Sequence, residues 1–595
     1  MARKKELSKR DKILDLRQKS MDGRSIAINQ GKEVAKFVVH DSYSADDKQA
    51  AATFKKPLLQ YPVLLSNLTI LMGNEQQARR VAKIIAHFWG DDQVMTILNN
   101  NYKLIIELTD LEYLLVQIFA DGLIYPTGGW LRRSIVMDKM GYLTLDYETM
   151  DTFAVHPDPG YRKSDLSDCR YIVYDYWLTL DELKNKMRIG DLGSEKDKEW
   201  WKEKEGTFAS IEDRAKNWGE FKKEDTYMYL EIEERTIIPI NIVSIDGSDE
   251  FQRLTNRELR ELRDKGMNAE VMVETTESRT NVQKCAPFWN NVVYDKDPNT
   301  VDMERYSGFC VTSYDFNMPK SGQTSWGYTI IDPQRRINKG MNQQVDFMSQ
   351  ILGAATFVLG YDGAAFEELK RTKGQPNPII KLMGKNVPVK ATMQNIPPEI
   401  LQTLATDMGL IQEVSNISPA ASGNAQRSGE SGYKFDQMRD ASRQATNVYY
   451  NVLSKVRENL GRDYVELVPK IYFEDDRIIP VKPEMKGGLT HEIVNLNYKG
   501  NIEKDVRNIS ARAILDEGEN TPNMIKETFN ENMAMLQLMQ SSGATFFDMP
   551  WELLIEHSPV RDKEKWYEFI SIIRKKQAGE AATNATNARM ATLET

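Results

Sequence analysis

The sequence predicts an α+β fold, predominantly helical and divided into several regions. Three observations carry that prediction. Long stretches repeat apolar residues every three or four positions, most clearly Gly327–Leu359 and Pro397–Gly461. A block from 224 to 318 breaks instead into short β-branched and aromatic runs such as EIEERTIIPINIV and FWNNVVYD. The chain has 595 residues, 41% hydrophobic and 28% charged, enough for sizeable cores and too apolar for general disorder.

Composition narrows the function classes. The formal charge of -9 argues against a general coating of nucleic acid, though a local basic patch remains compatible with DNA contact. No apolar run approaches the roughly 20 residues of a membrane helix, and MARKKELSKRDK lacks the apolar centre of a signal peptide, so neither membrane insertion nor secretion is expected. Cys169, Cys285 and Cys310 lie far apart, without disulfide-framework or metal spacing, as in a reducing cytosol.

In chain order, residues 1–30 read as a solvated, charge-rich arm, whose Arg3, Lys4, Lys5, Lys9, Arg10 and Lys12 could alternatively touch nucleic acid. A helical pattern follows from about Val34 to Gln93. TDLEYLLVQIFAD predicts a helix over Thr109–Asp121, with Thr109 and Glu112 at capping-box spacing. WLRRSIVMD and YLTLDYE read as a hairpin, followed by a turn crowded with Pro and Asp, a strand, and a helix from about Thr179. Within the separate small unit at 224–318, TNRELRELRDKG is a helix capped by Thr255 and Glu258.

Within the long helix expected at Gly327–Leu359, Gly353, Ala354 and Ala355 are small residues suited to close packing by another helix. The stretch 369–398 carries Lys370, Arg371, Lys373, Lys381, Lys385 and Lys390 and no acid, which fits contact with DNA or a neighbouring subunit, or simply a solvated basic loop. An amphipathic helix then presents Ile400, Leu404, Met408 and Ile411. A second presents Met438, Ala441, Ala445, Val448, Val452, Val456 and Leu460, with Gly461 as its expected stop. Between them Ser415–Gly432 is small, polar and nearly uncharged; it buries almost nothing that could offset its ordering entropy, so it is either a tolerated insertion or a working loop. Residues 462–515 read as β-rich, Thr521 and Pro522 open another helix, WELLIEH and DKEKWYEFISIIRKK add two more, and the tail from Gln577 is low-complexity.

A search for chemistry is negative. LMGKN around Lys385 lacks the Ser or Thr and the glycine placement of a phosphate loop. The five histidines are scattered, and HEIVN is not a zinc helix. Asp158, Asp165 and Asp168 could be drawn as a two-metal nuclease site, but acids among Pro and Gly are ordinary turn residues. Neither a cofactor nor catalysis is expected.

The order of these parts resembles the portal, or head-to-tail connector, proteins of tailed bacteriophages of the short-tailed type. The resemblance rests on the ADG helix end with its hairpin and VHPDPGYRKSDLSDCRYIVYDYWLTLDEL, on EIEERTIIPINIV, on RRINKGMNQQVDFMSQILGAATFVLG, and on the helix–small-residue loop–helix followed by AILDEGENTPNMIKETFNENMAMLQLM. It implies a subunit with wing, clip, stem and crown that assembles into a dodecameric ring at one capsid vertex. By position, 1–30 would be an N-terminal arm, 31–223 the first part of the wing, 224–318 the clip, and 319–360 the stem helix. The tunnel-loop region and a wing helix would occupy 361–461, wing and crown 462–576, and a disordered tail 577–595. The resemblance places Ser415, Asn416, Ser418, Ser422, Asn424, Gln426, Arg427 and Ser428 in the DNA channel. Its implied partners are further copies of the chain, the terminase motor, the major capsid protein, neck or tail adaptor proteins and double-stranded DNA in transit. No membrane is implied; the location is the virion, after assembly in the host cytoplasm. A head-tail adaptor or neck protein, and a packaging enzyme subunit, are the competing classes.

Overall fold

A computed structural model describes residues 9–53, 56, 58–77, 80–86, 92–137, 142–179, 182–183, 226–245, 251–265, 269–285, 292–294, 304–352, 356–357, 379–380, 389–390, 398–417, 432–482, 490–498, 501–507, 511–516, 532–535, 537 and 570. The fold is mixed α+β, and one large core joins most of its helices.

From Lys9 onward the segment expected to be a solvated arm is helical. Helix α1 spans Lys9–Gly23 and α2 spans Ser25–Val38. Ile13, Arg17 and Ser20 recur on one buried face of α1. The Arg17 guanidinium donates to both oxygens of Asp175 at 2.6–3.0 Å, with both side chains buried. Burial acts to raise the Asp175 carboxyl, but His156 and Arg17 hold it below its usual value. Arg24 continues the attachment by donating to the Val155 carbonyl at 2.6 Å. The charge density that suggested solvation is thus partly consumed in buried, paired contacts.

Helices α3 (Ala45–Thr53) and α4 (Val63–Gln77), strand β1 (Val81–Ala86), α5 (Asp92–Leu108) and α6 (Leu111–Ile124) follow. The expected capping box at Thr109 does not form. Thr109 donates its hydroxyl back to Ile105, Asp110 turns left-handed (φ 49°) before α6, and Glu112 pairs with Arg457. The predicted hairpin is present as β2 (Gly129–Met137) and β3 (Leu143–Met150). A Cβ at Gly129 would lie 1.9 Å from the Ile118 carbonyl oxygen, so only glycine lets α6 cross the hairpin this closely.

Strands β4 (Val155–Pro157) and β5 (Tyr171–Thr179) begin a second sheet. Strand β6 (Thr226–Ile245) pairs through its first half with β5 and then continues outward. There it meets β7 (Phe251–Thr255) on one side and β8 (Ala269–Cys285) on the other, with β9 (Val292–Tyr294) beyond β8. The inserted module is therefore continuous with that sheet through β6 and β8. At its tip α7 (Asn256–Asp264) has the predicted reciprocal cap between Thr255 and Glu258. Strand β10 (Gly308–Val311) returns to pair with β2.

Helix α8 runs from Trp326 to Leu352, shorter than expected, because the chain pairs as strand β11 at Thr356–Phe357. Gly353 and the β-branched and aromatic residues after it favour that ending. Residues 353–355 lie outside the described residues. Strands β12 (Ile379–Ile380) and β13 (Val389–Lys390) flank β11. Helix α9 spans Pro398–Ser415, and α10 spans Gly432–Ile471, continuing past the expected stop. A Cβ at Gly461 would sit 2.9 Å from those of Ala82 and Ala513, so this glycine admits a ribbon against the helix. That ribbon is β1 paired with β18 (Ala511–Asp516), from opposite ends of the chain. Strands β14 (Arg477–Val481), β15 (Thr490–Val494), β16 (Leu496–Tyr498) and β17 (Asn501–Glu503) fill the β-rich segment between. The helices expected at Thr521, WELLIEH and DKEKWYEFISIIRKK, and the tail, fall almost wholly outside the described residues. No described helix is long and apolar enough to cross a membrane.

Candidate functional site

The predicted channel loop hangs between α9 and α10, so its geometry begins with what holds those helices. Ile337 of α8 is fully buried, while Leu404 and Met408 of α9 pack half-buried against the same core and Ile411 is fully enclosed. A Cβ added at Gly340 would meet Leu404 Cδ1 at 3.5 Å, an ordinary contact, so α9 lies directly against this face of α8. Arg336 of α8 reaches the buried carboxylate of Asp407 on α9.

Helix α9 ends on residues that the sequence placed in the loop. Ser415 is completely buried; its hydroxyl donates to the Gln412 carbonyl at 3.4 Å and accepts from the Ile417 amide at 3.3 Å. The Ser415 side chain thus closes the helix end. Asn416 takes the left-handed conformation (φ 58°) that commonly terminates a helix, and its carbonyl accepts from Ser442 of α10 at 2.7 Å. Ile417 is buried in the large core, which pins the point of departure. Ser418, Ser422, Asn424, Gln426, Arg427 and Ser428 lie outside the described residues.

The far side of the loop is anchored by α10. Its expected apolar face fails at Ala441, Ala445 and Val448, which are exposed, while the Met438 side chain lies outside what is described. Ser442, Thr446, Tyr449 and Tyr450 face inward instead, rotating the stripe by about one position. Tyr449 meets Tyr314 edge-on at 5.6 Å, and burial, then Tyr314, pushes its hydroxyl well above the usual range. Further along, α10 is tied by charges that sequence reading did not single out. Arg457 donates to Glu75 at 2.6 Å and to Glu112 at 2.8 Å, and Asp463 accepts from Arg133 of β2 at 2.7 Å. Buried charges need such partners, which makes this long helix a rigid mount. Arginines and acids falling on an otherwise apolar helical face were the available signal.

Of the basic stretch, Lys370, Arg371, Lys373, Lys381 and Lys385 lie outside the described residues. Lys390 sits on β13, its backbone in register with Thr356 just beyond α8.

The acids once considered for metal chemistry serve their own turn. Asp158 binds Arg170 and the Gly160 amide, Asp165 accepts from the Ser167 amide at 3.0 Å, and Asp168 accepts from the amides of Arg162 and Lys163. Their oxygens therefore point into local backbone, as turn carboxylates do. Among the described residues no three His, Cys, Asp or Glu side chains are grouped to hold a metal. What the arrangement offers is mechanical: a polar loop mounted between two helices that share one core.

None of the curated proteins compared with the chain matches it. The family described as phage P22-like portal protein matches residues 14–594, a span that includes α1 from its sixth residue onward, both helices flanking the loop and almost the entire tail. The chain therefore belongs to the phage P22-like portal protein family.

Proposed function

We propose that this chain is the subunit of a dodecameric portal ring at one capsid vertex, through which double-stranded DNA enters during packaging and leaves on ejection. Membership of the portal family carries the reading, and it makes the protein a structural component of a phage head. The loop from Asn416 through Arg427 and Ser428 lines the channel in this proposal. Its polar, nearly uncharged composition suits a sliding contact, because each lysine–phosphate contact would release counterions and hold the DNA. The anchors at Ile417 and Ser442 support a loop that moves while its ends stay fixed. The module carried by β6 and β8 serves as the clip, meeting the terminase motor and then the neck proteins, and α8 acts as the stem. The lysine-rich stretch from Lys370 to Lys390 contacts either a neighbouring subunit or resting DNA.

Class-averaged electron micrographs of the recombinant protein test the assembly. Closed twelvefold rings are the expected result. A monomer or an open fibre overturns the proposal and favours a neck component.

A further inference from the structure

Between α3 and α4 the chain crosses α8 as an extended strap, described at Lys56 and through Leu58–Pro62. Pro57 and Pro62 bracket it, and proline both removes a donor and biases the preceding residue to extended backbone. The strap belongs to no helix or sheet, so its amides and carbonyls need other partners. Most of those partners form a row of uncharged amides on α8, four residues apart: Gln334, Asn338 and Asn342; the Tyr43 hydroxyl adds a bond to the Leu59 carbonyl at 2.8 Å.

The contacts run antiparallel to the helix. Leu64 donates its amide to Gln334 Oε1 at 3.3 Å, and Gln334 Nε2 donates to the Tyr61 carbonyl. The Tyr61 amide donates to Asn338 Oδ1 at 2.9 Å. Asn342 engages both backbone groups of Leu59, accepting from its amide at 2.7 Å and donating to its carbonyl at 3.3 Å. The row ends where Asp346 pairs with Lys56. Asn342 thus does for one residue what a neighbouring β-strand does.

The strap's side chains do little of the holding. Leu59 is 42% exposed and Tyr61 46% exposed. Beside the strap lies a groove of about 560 Å³ lined by Phe37, Tyr43, Ala51, Leu58, Lys339 and Gln343. A segment attached by its backbone, with Leu59 and Tyr61 outward and only Leu58 half-buried, has lost much of the burial that normally secures a loop.

We propose that the Gln334–Asn338–Asn342 row is a sequence-independent receptor for an extended strand, that Lys56 and Leu58–Pro62 occupy it, and that they release as a unit while α8 and α4 stay folded. Release uncovers both the amide row and the groove. Because the receptor reads backbone, the identity of the outward side chains does not set the strength of the latch. Charge enters only at the Lys56–Asp346 end, so most of the latch is insensitive to salt.

Hydrogen exchange of the full chain, followed peptide by peptide, tests this. In the wild type, peptides covering 58–64 should exchange about tenfold or more slower than unstructured chain, yet faster than those of 326–348. Replacing Asn338 and Asn342 together by Ala should remove the strap's protection while 326–348 keeps its own. Replacing Leu59 and Tyr61 together by Ser should leave strap protection unchanged. Wild-type strap peptides exchanging as slowly as α8, or with no protection, overturn the proposal whether or not the variants fold. Protection that survives in Asn338→Ala/Asn342→Ala, or is lost in Leu59→Ser/Tyr61→Ser, overturns it as well.

Discussion

Arg133 on β2 and Asp463 on α10 are separated by 330 positions in sequence and form an ion pair at 2.7 Å, with side chains 4% and 0% exposed. The contact fastens the hairpin to the helix that carries the proposed channel loop. Asp463 Oδ2 has no hydrogen-bond partner among the described residues. That orphaned oxygen explains why burial outweighs Arg133 and pushes the carboxyl up to about 6, even though the pair also raises the guanidinium.

The sign of the pH effect follows from linkage. Between the usual value of 3.8 and about 6, the folded chain holds a proton on Asp463 that the unfolded chain releases. This group therefore favours folding at the acid end of that window, and the benefit is lost as pH rises through it. Asp463→Asn should remove that component of the stability–pH slope. At pH 7 it should also destabilise by about 3–5 kcal/mol, because Arg133 is left buried without its counter-charge. Chemical denaturation at pH 4.5 and 7 checks both, and an unchanged slope would refute the Asp463 assignment.

Gly461→Ala sets two effects against each other. Removing a glycine from a helix interior stabilises by about 1 kcal/mol. The new methyl would meet Ala82 and Ala513 at 2.9 Å, and overpacking costs about 1–3 kcal/mol. The expected outcome is a lower melting temperature. A higher one would mean that the β1–β18 ribbon moves aside freely.

Deleting Pro419–Ser428 should leave α9, α10 and the ring intact, since Ile417 and Ser442 anchor the ends outside the deletion. Filled particles should become scarce. Arg427→Ala alone should change little, whereas several added lysines should slow DNA passage, less so at high salt. Normal filling by the deletion mutant would remove the loop from the channel.

Truncation after Lys576 should preserve ring formation, because the residues beyond it offer no apolar periodicity with which to bury an interface. Native mass spectrometry of the truncated protein supplies the measurement. Failure to assemble would assign the tail a contact.

The sequence by itself determined those elements whose cause is local. Two apolar runs on either side of Met140-Gly141 specified the hairpin of β2 and β3, and Thr255 and Glu258 capped their helix. Family resemblance was legible in the order of these parts. Tertiary structure alone decided the rest, because each remaining feature depends on a partner distant in sequence. Gly461 reads as a helix stop until Ala82 and Ala513 arrive against it, and Ser415 reads as loop until its burial is seen. Arg17 looks like one more solvated charge until Asp175 receives it in a buried sheet. Local sequence sets backbone preference, but which glycine is a contact and which charge is interior is settled only when the chain folds back on itself.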